Sequence, residues 1–145
     1  MRSKVRASAS GFNPELVAES SAIDPNAARD ATLGLLALPD PPSSIFAVNS
    51  IAVVGVVEAA REQGLEIPGD LALVCFDDIE HVSRLYPFLT VMAQPAETYG
   101  TIATQLLLDR LSGRVGQRRR LVVLPGDFIV RKSSGAPNAE PAETA

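Results

Sequence analysis

The sequence predicts an α/β fold organised on a parallel β-sheet, and one stretch carries most of that prediction. Two short apolar runs, at residues 45–48 and 71–76, each stop at polar residues. Runs of this length are typical of buried strands rather than of buried helices. Because parallel strands need a crossover of about a dozen residues or more, the intervening residues 51–63 are predicted to form the helix that connects them. The stretch is therefore a β-α-β unit.

The helix predicted at residues 51–63 has two unlike halves. Its first half contains β-branched residues such as Val53 and Val54, which also favour strands. Its second half contains alanine and charged residues, which favour helix. Ser50 is predicted to cap this helix, and Gly64 is predicted to close it in the left-handed conformation. The apolar first half predicts cover on more than one side, part of which could come from a partner subunit.

Two further helices are predicted from their boundaries. Asp24 and Pro25 are typical of a helix start, and the apolar stripe that follows them ends at Pro39. Residues 96–111 have an amphipathic pattern that Gly113 closes. Because one face of this last helix is apolar, it needs a surface to cover.

The composition is that of one globular domain. The chain has 145 residues, of which 46% are hydrophobic and 21% charged, so it can bury a core without disulfides or structural metals. A net charge of −4 argues against a free-standing nucleic-acid binder, and a single cysteine excludes a disulfide framework. The amino-terminal residues contain no apolar run long enough for a signal peptide or a membrane helix. We therefore expect a cytoplasmic protein with no membrane partner.

Several short motifs, taken in order, resemble the ligand-sensing domain of the LacI/GalR family of transcriptional repressors. They are S-I-F-A-V-N at 44–49, I-P-G-D-L-A-L-V at 67–74, F-D-D at 76–78, P-F-L-T at 87–90 and Q-P at 94–95. The ending F-I-V-R-K-S-S at 128–134 looks like the closing strand of that family with its Arg-x-Ser-Thr signature. The resemblance covers roughly residues 11–134, and it comes from the order and spacing of the motifs.

The resemblance implies a three-layer parallel-sheet lobe of a periplasmic-binding-protein-like fold, present here in incomplete form. The domains it implies are a remnant of a truncated helix at 1–10, the sensor domain at 11–134 and a disordered tail at 135–145. In the family, the helix at about 96–112 crosses to the other lobe, and the chain returns through residues 121–124 and 128–131. We expect the other lobe and the helix-turn-helix domain to be missing from this chain.

Polar residues follow the predicted parallel strands and form the candidate ligand site. In open parallel sheets, ligands bind beyond the carboxyl ends of the strands, which is where Asn49, Ser50, Asp77 and Asp78 fall. The resemblance adds Gln94, from the crossover segment, as a ligand contact. It also places Asn49 and Ser50 at the family's Asn-Asp pair. Because a serine offers one weaker group than a carboxylate, Ser50 should favour a less hydroxylated or differently placed group than a typical sugar.

Each candidate also has a structural interpretation. Ser50 could serve only as the helix cap, Asp77 could only order its loop, and Gln94 could only fix the crossover backbone. An acid-base pair or a magnesium site at Asp77 and Asp78 would need further partners that the sequence does not supply. In the family, the aspartate at the position of Asp77 follows a Gly-aromatic pair, and Cys75 replaces that glycine.

Other reactive residues do not assemble into a catalytic pattern. His81 is the only histidine, which excludes a zinc cluster or a triad that needs more than one base, and we expect it on a surface loop. Cys75, at the end of a buried strand, is typical of a small apolar residue rather than a nucleophile. The densest basic patch, Arg114 with 118–120, is predicted to be a solvated connection. We therefore expect no enzymatic activity, no metal and no cofactor.

The favoured hypothesis is the ligand-sensing module of a LacI/GalR-type transcriptional regulator. It would bind a small effector, a sugar or a nucleoside-like molecule, and regulate transcription through a DNA-binding domain absent here. We also expect a homodimer, and in the first of the alternatives below the helix at 51–63 would form the dimer contact. Two alternatives stay open: a truncated dimerisation fragment without ligand binding, and a solute-binding protein of related two-lobed fold.

Overall fold

The computed structural model describes residues 16–18, 23–78, 80–114 and 119–135. Along the chain the elements are α1 (Pro25–Leu36), β1 (Ser44–Ala47), α2 (Ser50–Glu62), β2 (Ala72–Phe76), α3 (Glu80–Leu85), β3 (Thr90–Ala93), α4 (Ala96–Leu111), β4 (Asp127–Ile129) and a 3-10 turn (Lys132–Ser134). The predictions for residues 1–10, for the tail after 135 and for the side chain of His81 lie outside the described residues.

The strands form one mostly parallel sheet in the order β1-β2-β3-β4. β1, β2 and β3 run parallel, and β4 pairs antiparallel with β3. This confirms the predicted α/β class and the β-α-β unit. Residues 121–124, through which the resemblance returns the chain, lie outside the strands of the described residues, and Leu121 and Val123 are exposed.

The helix ends follow local chemistry that was visible in the sequence. The carboxylate of Asp24 accepts hydrogen bonds from the backbone amides of Asn26 and Ala27, both at 3.3 Å, and Pro25 is the first helical residue. Gly64 and Gly113 follow α2 and α4 with φ of 69° and 71°. These left-handed conformations are readily adopted by glycine. The predicted caps of α1 and the predicted closures of α2 and α4 are confirmed.

The core lies between α2 and one face of the sheet. Inward-facing strand residues pack with one side of α2, and the buried members are Ala47, Leu73, Cys75 and Val91 with Val53, Val56 and Ala60. Helix α1 packs on α2 at Gly55, where a Cβ atom would lie 2.5 Å from the backbone nitrogen of Arg29. The absence of a side chain at Gly55 therefore permits the close approach of the two helices.

The opposite face of the sheet is open in the described residues. Cross-strand pairing places Phe76, Met92 and Phe128 side by side, and Phe46 lies on the same face with 58% of its surface exposed. Within the described residues, then, helices cover one face of the sheet, which accounts for two of the three layers that the resemblance implies.

Helix α4 has the predicted bounds but no packed face. None of its residues is buried, and Tyr99, Leu107 and Leu111 are all exposed. The amphipathic pattern thus predicted the helix correctly, and the described chain supplies no surface for its apolar stripe. Among the described helices, none combines the length and the apolar character that crossing a membrane would require.

Candidate functional site

The sheet topology brings three of the predicted site residues to one edge. Asn49 lies just after β1, Asp77 directly after β2 and Gln94 directly after β3. Because these strands are parallel neighbours in the order β1-β2-β3, their carboxyl ends share one edge of the sheet. Residues far apart in the sequence therefore converge at the position where α/β sheets bind small molecules.

Asn49, and not Ser50, caps helix α2. Asn49 has an extended backbone, and its side-chain oxygen accepts a 2.8 Å hydrogen bond from the amide of Ala52. Ser50 is the first residue of the helix and is only 1% exposed. The prediction that Ser50 is the cap is wrong because an Asn oxygen, one position earlier, reaches the free amide of the first turn. The hydrogen bond from Ala52 uses Oδ1 of Asn49 and leaves its Nδ2 group free to donate elsewhere.

Asp77 has an unusual backbone conformation. Its φ is 123°, and it is the one non-glycine residue with positive φ in the described part of the chain. Such a conformation costs on the order of 1–3 kcal/mol in a residue with a side chain. The Asp77 amide donates a 3.0 Å hydrogen bond to the carbonyl of Met92 on β3, which ties the strained residue to the neighbouring strand.

The carboxylate of Asp77 is unpaired within the described structure. The residue is partly exposed, and its carboxylate accepts no hydrogen bond from any described residue. A carboxylate has about four lone-pair sites for donors. Asp77 is therefore a charged acceptor held in a strained position at the carboxyl edge of the sheet, with capacity for an external donor.

Gln94 lies in the connection between β3 and α4. Its backbone carbonyl accepts a 2.8 Å hydrogen bond from Ala96, and the residue is exposed. The backbone thus shapes the turn, as the structural interpretation expected, while the side-chain amide stays accessible. Donor and acceptor groups are both available from that amide.

Cys75 is placed as an inert core residue. Its side chain is fully buried on the inner face of β2. Burial, with smaller contributions from the charges of Asp77 and Asp78, raises the pKa of the thiol to about 12. Because the thiolate is the reactive form, a thiol with this pKa is a poor nucleophile at neutral pH.

Asp78 takes part in an ion-pair network that the sequence interpretation missed. Its Oδ2 atom accepts a 3.3 Å hydrogen bond from Nη2 of Arg131, and its Oδ1 atom accepts a hydrogen bond from the hydroxyl of Ser83. The other end of the Arg131 guanidinium, Nη1, donates to the carbonyl of Leu89 at 2.8 Å. We call the side chains of Asp78, Ser83 and Arg131 the Asp78 clamp.

The residues after β4 are fastened to the sheet by hydroxyl groups. The Ser133 hydroxyl donates to the carbonyl of Leu73 at 2.5 Å and accepts from the amide of Thr90 at 2.8 Å. The Thr90 hydroxyl accepts from the amide of Arg131 at 2.8 Å. Arg131 and Ser133 belong to the closing motif that resembles the Arg-x-Ser-Thr signature, so that motif was the signal in the sequence. Spacing alone did not reveal that the motif reaches back to β2 and β3.

The comparisons with known proteins agree with this architecture. The sequence profile of the periplasmic binding protein-like domain matches residues 2–134. The lactose operon repressor of Rhizobium radiobacter is 42% identical over 105 residues, which is 72% of this chain and 91% of that repressor. The HTH-type transcriptional repressor CytR of Escherichia coli (strain K12) is 38% identical over 103 residues, which is 70% of this chain and 30% of CytR.

One solved structure is similar to this chain in both fold and sequence. It is the LacI family transcriptional regulator from Arthrobacter sp. FB24 in complex with lactose, with a TM-score of 0.65 and 30% identity, over 77% of this chain and 41% of that regulator. These similar proteins are repressors and regulators, not enzymes. The chain therefore belongs to the periplasmic binding protein-like domain family, as part of a LacI/GalR-type sensor domain.

Proposed function

We propose that this chain is the effector-sensing part of a LacI/GalR-type transcriptional regulator and binds a small hydroxylated molecule at the edge formed by Asn49, Ser50, Asp77 and Gln94. The observation that carries the proposal is Asp77. Its carboxylate accepts no hydrogen bond from the described residues, its backbone has a φ of 123°, and it follows the central β2 strand. A strained polar residue of this kind is typical of a binding site.

The polar groups at this edge suit a neutral ligand with several hydroxyls. The carboxylate of Asp77 can accept two hydroxyl hydrogen bonds with charge assistance. Oδ1 of Asn49 already accepts a hydrogen bond from Ala52. Nδ2 of the same side chain is therefore the end that can donate to a ligand. Gln94 can donate and accept. Ser50, buried beside Asn49, provides at most one hydroxyl, which favours a sugar or nucleoside-like ligand with fewer groups on that side.

Regulation would follow from a shift in conformational populations. An effector that binds one state of the sensor more tightly shifts the equilibrium toward that state by its difference in affinity. We propose that a DNA-binding domain outside these residues responds to that shift in the cytoplasm. We also propose a homodimer paired through the exposed side of α2, where Ile51 lies at the surface.

Saturation-transfer NMR with lactose tests ligand binding. We expect transfer to lactose from the full chain, and a loss of most of that transfer in Asp77→Asn, because the amide removes the charge and half of the acceptor capacity. Asp127→Asn is the matched control, since it neutralises an exposed carboxylate on β4. Equal transfer from the wild type and from Asp77→Asn would contradict a role for this carboxylate.

An assembly module without ligand is the second candidate, and the open apolar surfaces favour it. Leu107 and Leu111 lie one turn apart on α4 and are exposed, and Phe46 is exposed on the sheet. Large exposed apolar surfaces mark interaction sites. Sedimentation equilibrium distinguishes the two candidates when it is combined with the lactose experiment. A stable oligomer that shows no transfer to lactose would favour assembly over sensing.

A further inference from the structure

The strained conformation of Asp77 needs support on both sides. On the amino-terminal side, β2 is paired with β1 and β3 through the central part of the sheet. The amide of Asp77 itself is bonded to the Met92 carbonyl at 3.0 Å. On the carboxyl-terminal side, the next residue is Asp78. One of its carboxylate oxygens accepts a hydrogen bond from Ser83 and the other accepts one from Arg131.

The Asp78 clamp is well placed to fix this position. The side chain of Asp78 is 17% exposed and that of Arg131 is 25% exposed, so solvent screens the pair less than it screens a surface ion pair. The guanidinium of Arg131 holds two acceptors at once, the carbonyl of Leu89 and the carboxylate of Asp78. A planar fork of donors is needed for this geometry, and a lysine ammonium does not provide one.

The backbone of Arg131 is also held in place by hydrogen bonds. Its backbone amide and carbonyl both bond to the hydroxyl of Thr90, at 2.8 Å and 2.9 Å. Two residues later, Ser133 bridges Leu73 and Thr90. The segment after β4 is thus anchored to β2 and β3, and it presents Arg131 toward the residue that follows Asp77.

We propose that Asp78 and Arg131 are positioning residues that hold Asp77 in the strained conformation from which its carboxylate meets the ligand. The inference rests on the proposed function, and it assigns a role in the site to the segment after β4, more than fifty residues away in the sequence from Asp77. The two residues act through the backbone of Asp77. Loss of the clamp would let the loop after β2 relax, and the carboxylate would lose its fixed direction.

Amide hydrogen exchange of the full chain, followed by NMR, measures the clamp directly. In Asp78→Asn and in Arg131→Lys, we expect exchange of the Asp77 amide to accelerate by about tenfold or more, while amides inside β2 and β3 keep their protection. Glu62→Gln is the matched control, since it neutralises a carboxylate that also pairs with a guanidinium, that of Arg29 at 2.6 Å. It should leave the Asp77 amide unchanged.

A third variant protects the test against loss of folding. Ser83→Ala removes only the neutral hydroxyl partner of Asp78 and should accelerate exchange of the Asp77 amide by a smaller factor. Unchanged exchange at Asp77 in all folded clamp variants would overturn the proposal.

Lactose binding separates the clamp from the proposed function. If the wild-type chain binds lactose, the clamp variants should weaken that binding by about tenfold or more in Kd, in parallel with faster exchange at Asp77. Faster exchange with unchanged lactose affinity would overturn the positioning role. If the wild-type chain does not bind lactose, the failure is that of the proposed ligand, and the exchange of the Asp77 amide alone decides whether the clamp holds that residue.

Discussion

Helices α2 and α4 resemble each other in apolar content and in how they end, but they differ in how much of their surface is buried. Both are rich in apolar residues, both carry an arginine in the last turn, and both are followed by a left-handed glycine. Yet α2 buries six residues against α1 and the sheet, and α4 buries none. An apolar stripe therefore specifies that a helix needs cover and does not specify where the cover lies. The half of the chain around α2 is a packed core, whereas α4 presents its stripe to solvent.

A charge placed on each helix should give the largest contrast. We expect Val53→Asp to cost more than about 4 kcal/mol and to abolish cooperative unfolding, because Val53 is 0% exposed in the core. Leu107→Asp, at a site that is 56% exposed, should cost less than about 1 kcal/mol. Urea unfolding followed by circular dichroism measures both. A comparable loss in the two variants would mean that α4 is packed in solution.

A methyl group added to each helix should give effects of opposite sign. Gly55→Ala places a Cβ against the backbone of α1 and should cost about 1–3 kcal/mol by overpacking. Gly100→Ala on α4 meets nothing within 4 Å and should stabilise the helix by about 0.5–1 kcal/mol. Thermal unfolding of the two variants provides the comparison. A stabilising Gly55→Ala would show that α1 and α2 do not approach as closely as described.

The buried thiol should make the core sensitive to alkaline pH. Since burial raises the pKa of Cys75 from 9.0 to about 12, the folded state favours the neutral thiol. The corresponding stability is fully present below the unfolded pKa and is lost as pH rises through the folded pKa. Between about pH 8.5 and about pH 10.5, the free energy of unfolding should fall more in the wild type than in Cys75→Ala. Parallel pH profiles for the two proteins would contradict this placement of the thiol.

The ion pair between α1 and α2 should give the smallest effect. The hydrogen bond from Arg29, opposed by desolvation, lowers the pKa of Glu62. Its contribution to stability is therefore present above the ordinary glutamate pKa and is lost as pH falls through the lowered value. Because the pair is exposed, we expect only a small excess in Tm of the wild type over Glu62→Gln at neutral pH. That excess should vanish in acid, and an excess that persists in acid would have a cause other than the charge of Glu62.

Much of the fold could be predicted because it follows from local patterns. The capping of α1 by Asp24, the turn at Gly64 and the β-α-β unit each depend on a few neighbouring residues. Asn49 and Ser50 show the limit of this approach, since both residue types favour helix caps and only the backbone geometry decides between them.

The sequence selected the residues of the candidate site but not the contacts that support them. The rule that ligands bind at the carboxyl ends of parallel strands selected Asn49 and Asp77, and the family resemblance added Gln94. The positive φ of Asp77 could not be read from the sequence, nor could the pairing of Asp78 with Arg131, because that pair joins residues 53 positions apart. Contacts of this kind depend on how the segment after β4 returns to the sheet, and no periodicity in the sequence reports that path.

The measurement that most directly tests effector sensing at this edge is a lactose titration of the isotope-labelled chain, followed through its backbone amide signals. We predict shifts concentrated at Asn49, Asp77 and Gln94 and at their immediate neighbours, with α1 unaffected. Shifts of this kind would place the ligand at the shared carboxyl edge of β1, β2 and β3. No shift up to high lactose concentration, or shifts concentrated on α4, would contradict a lactose site at this edge.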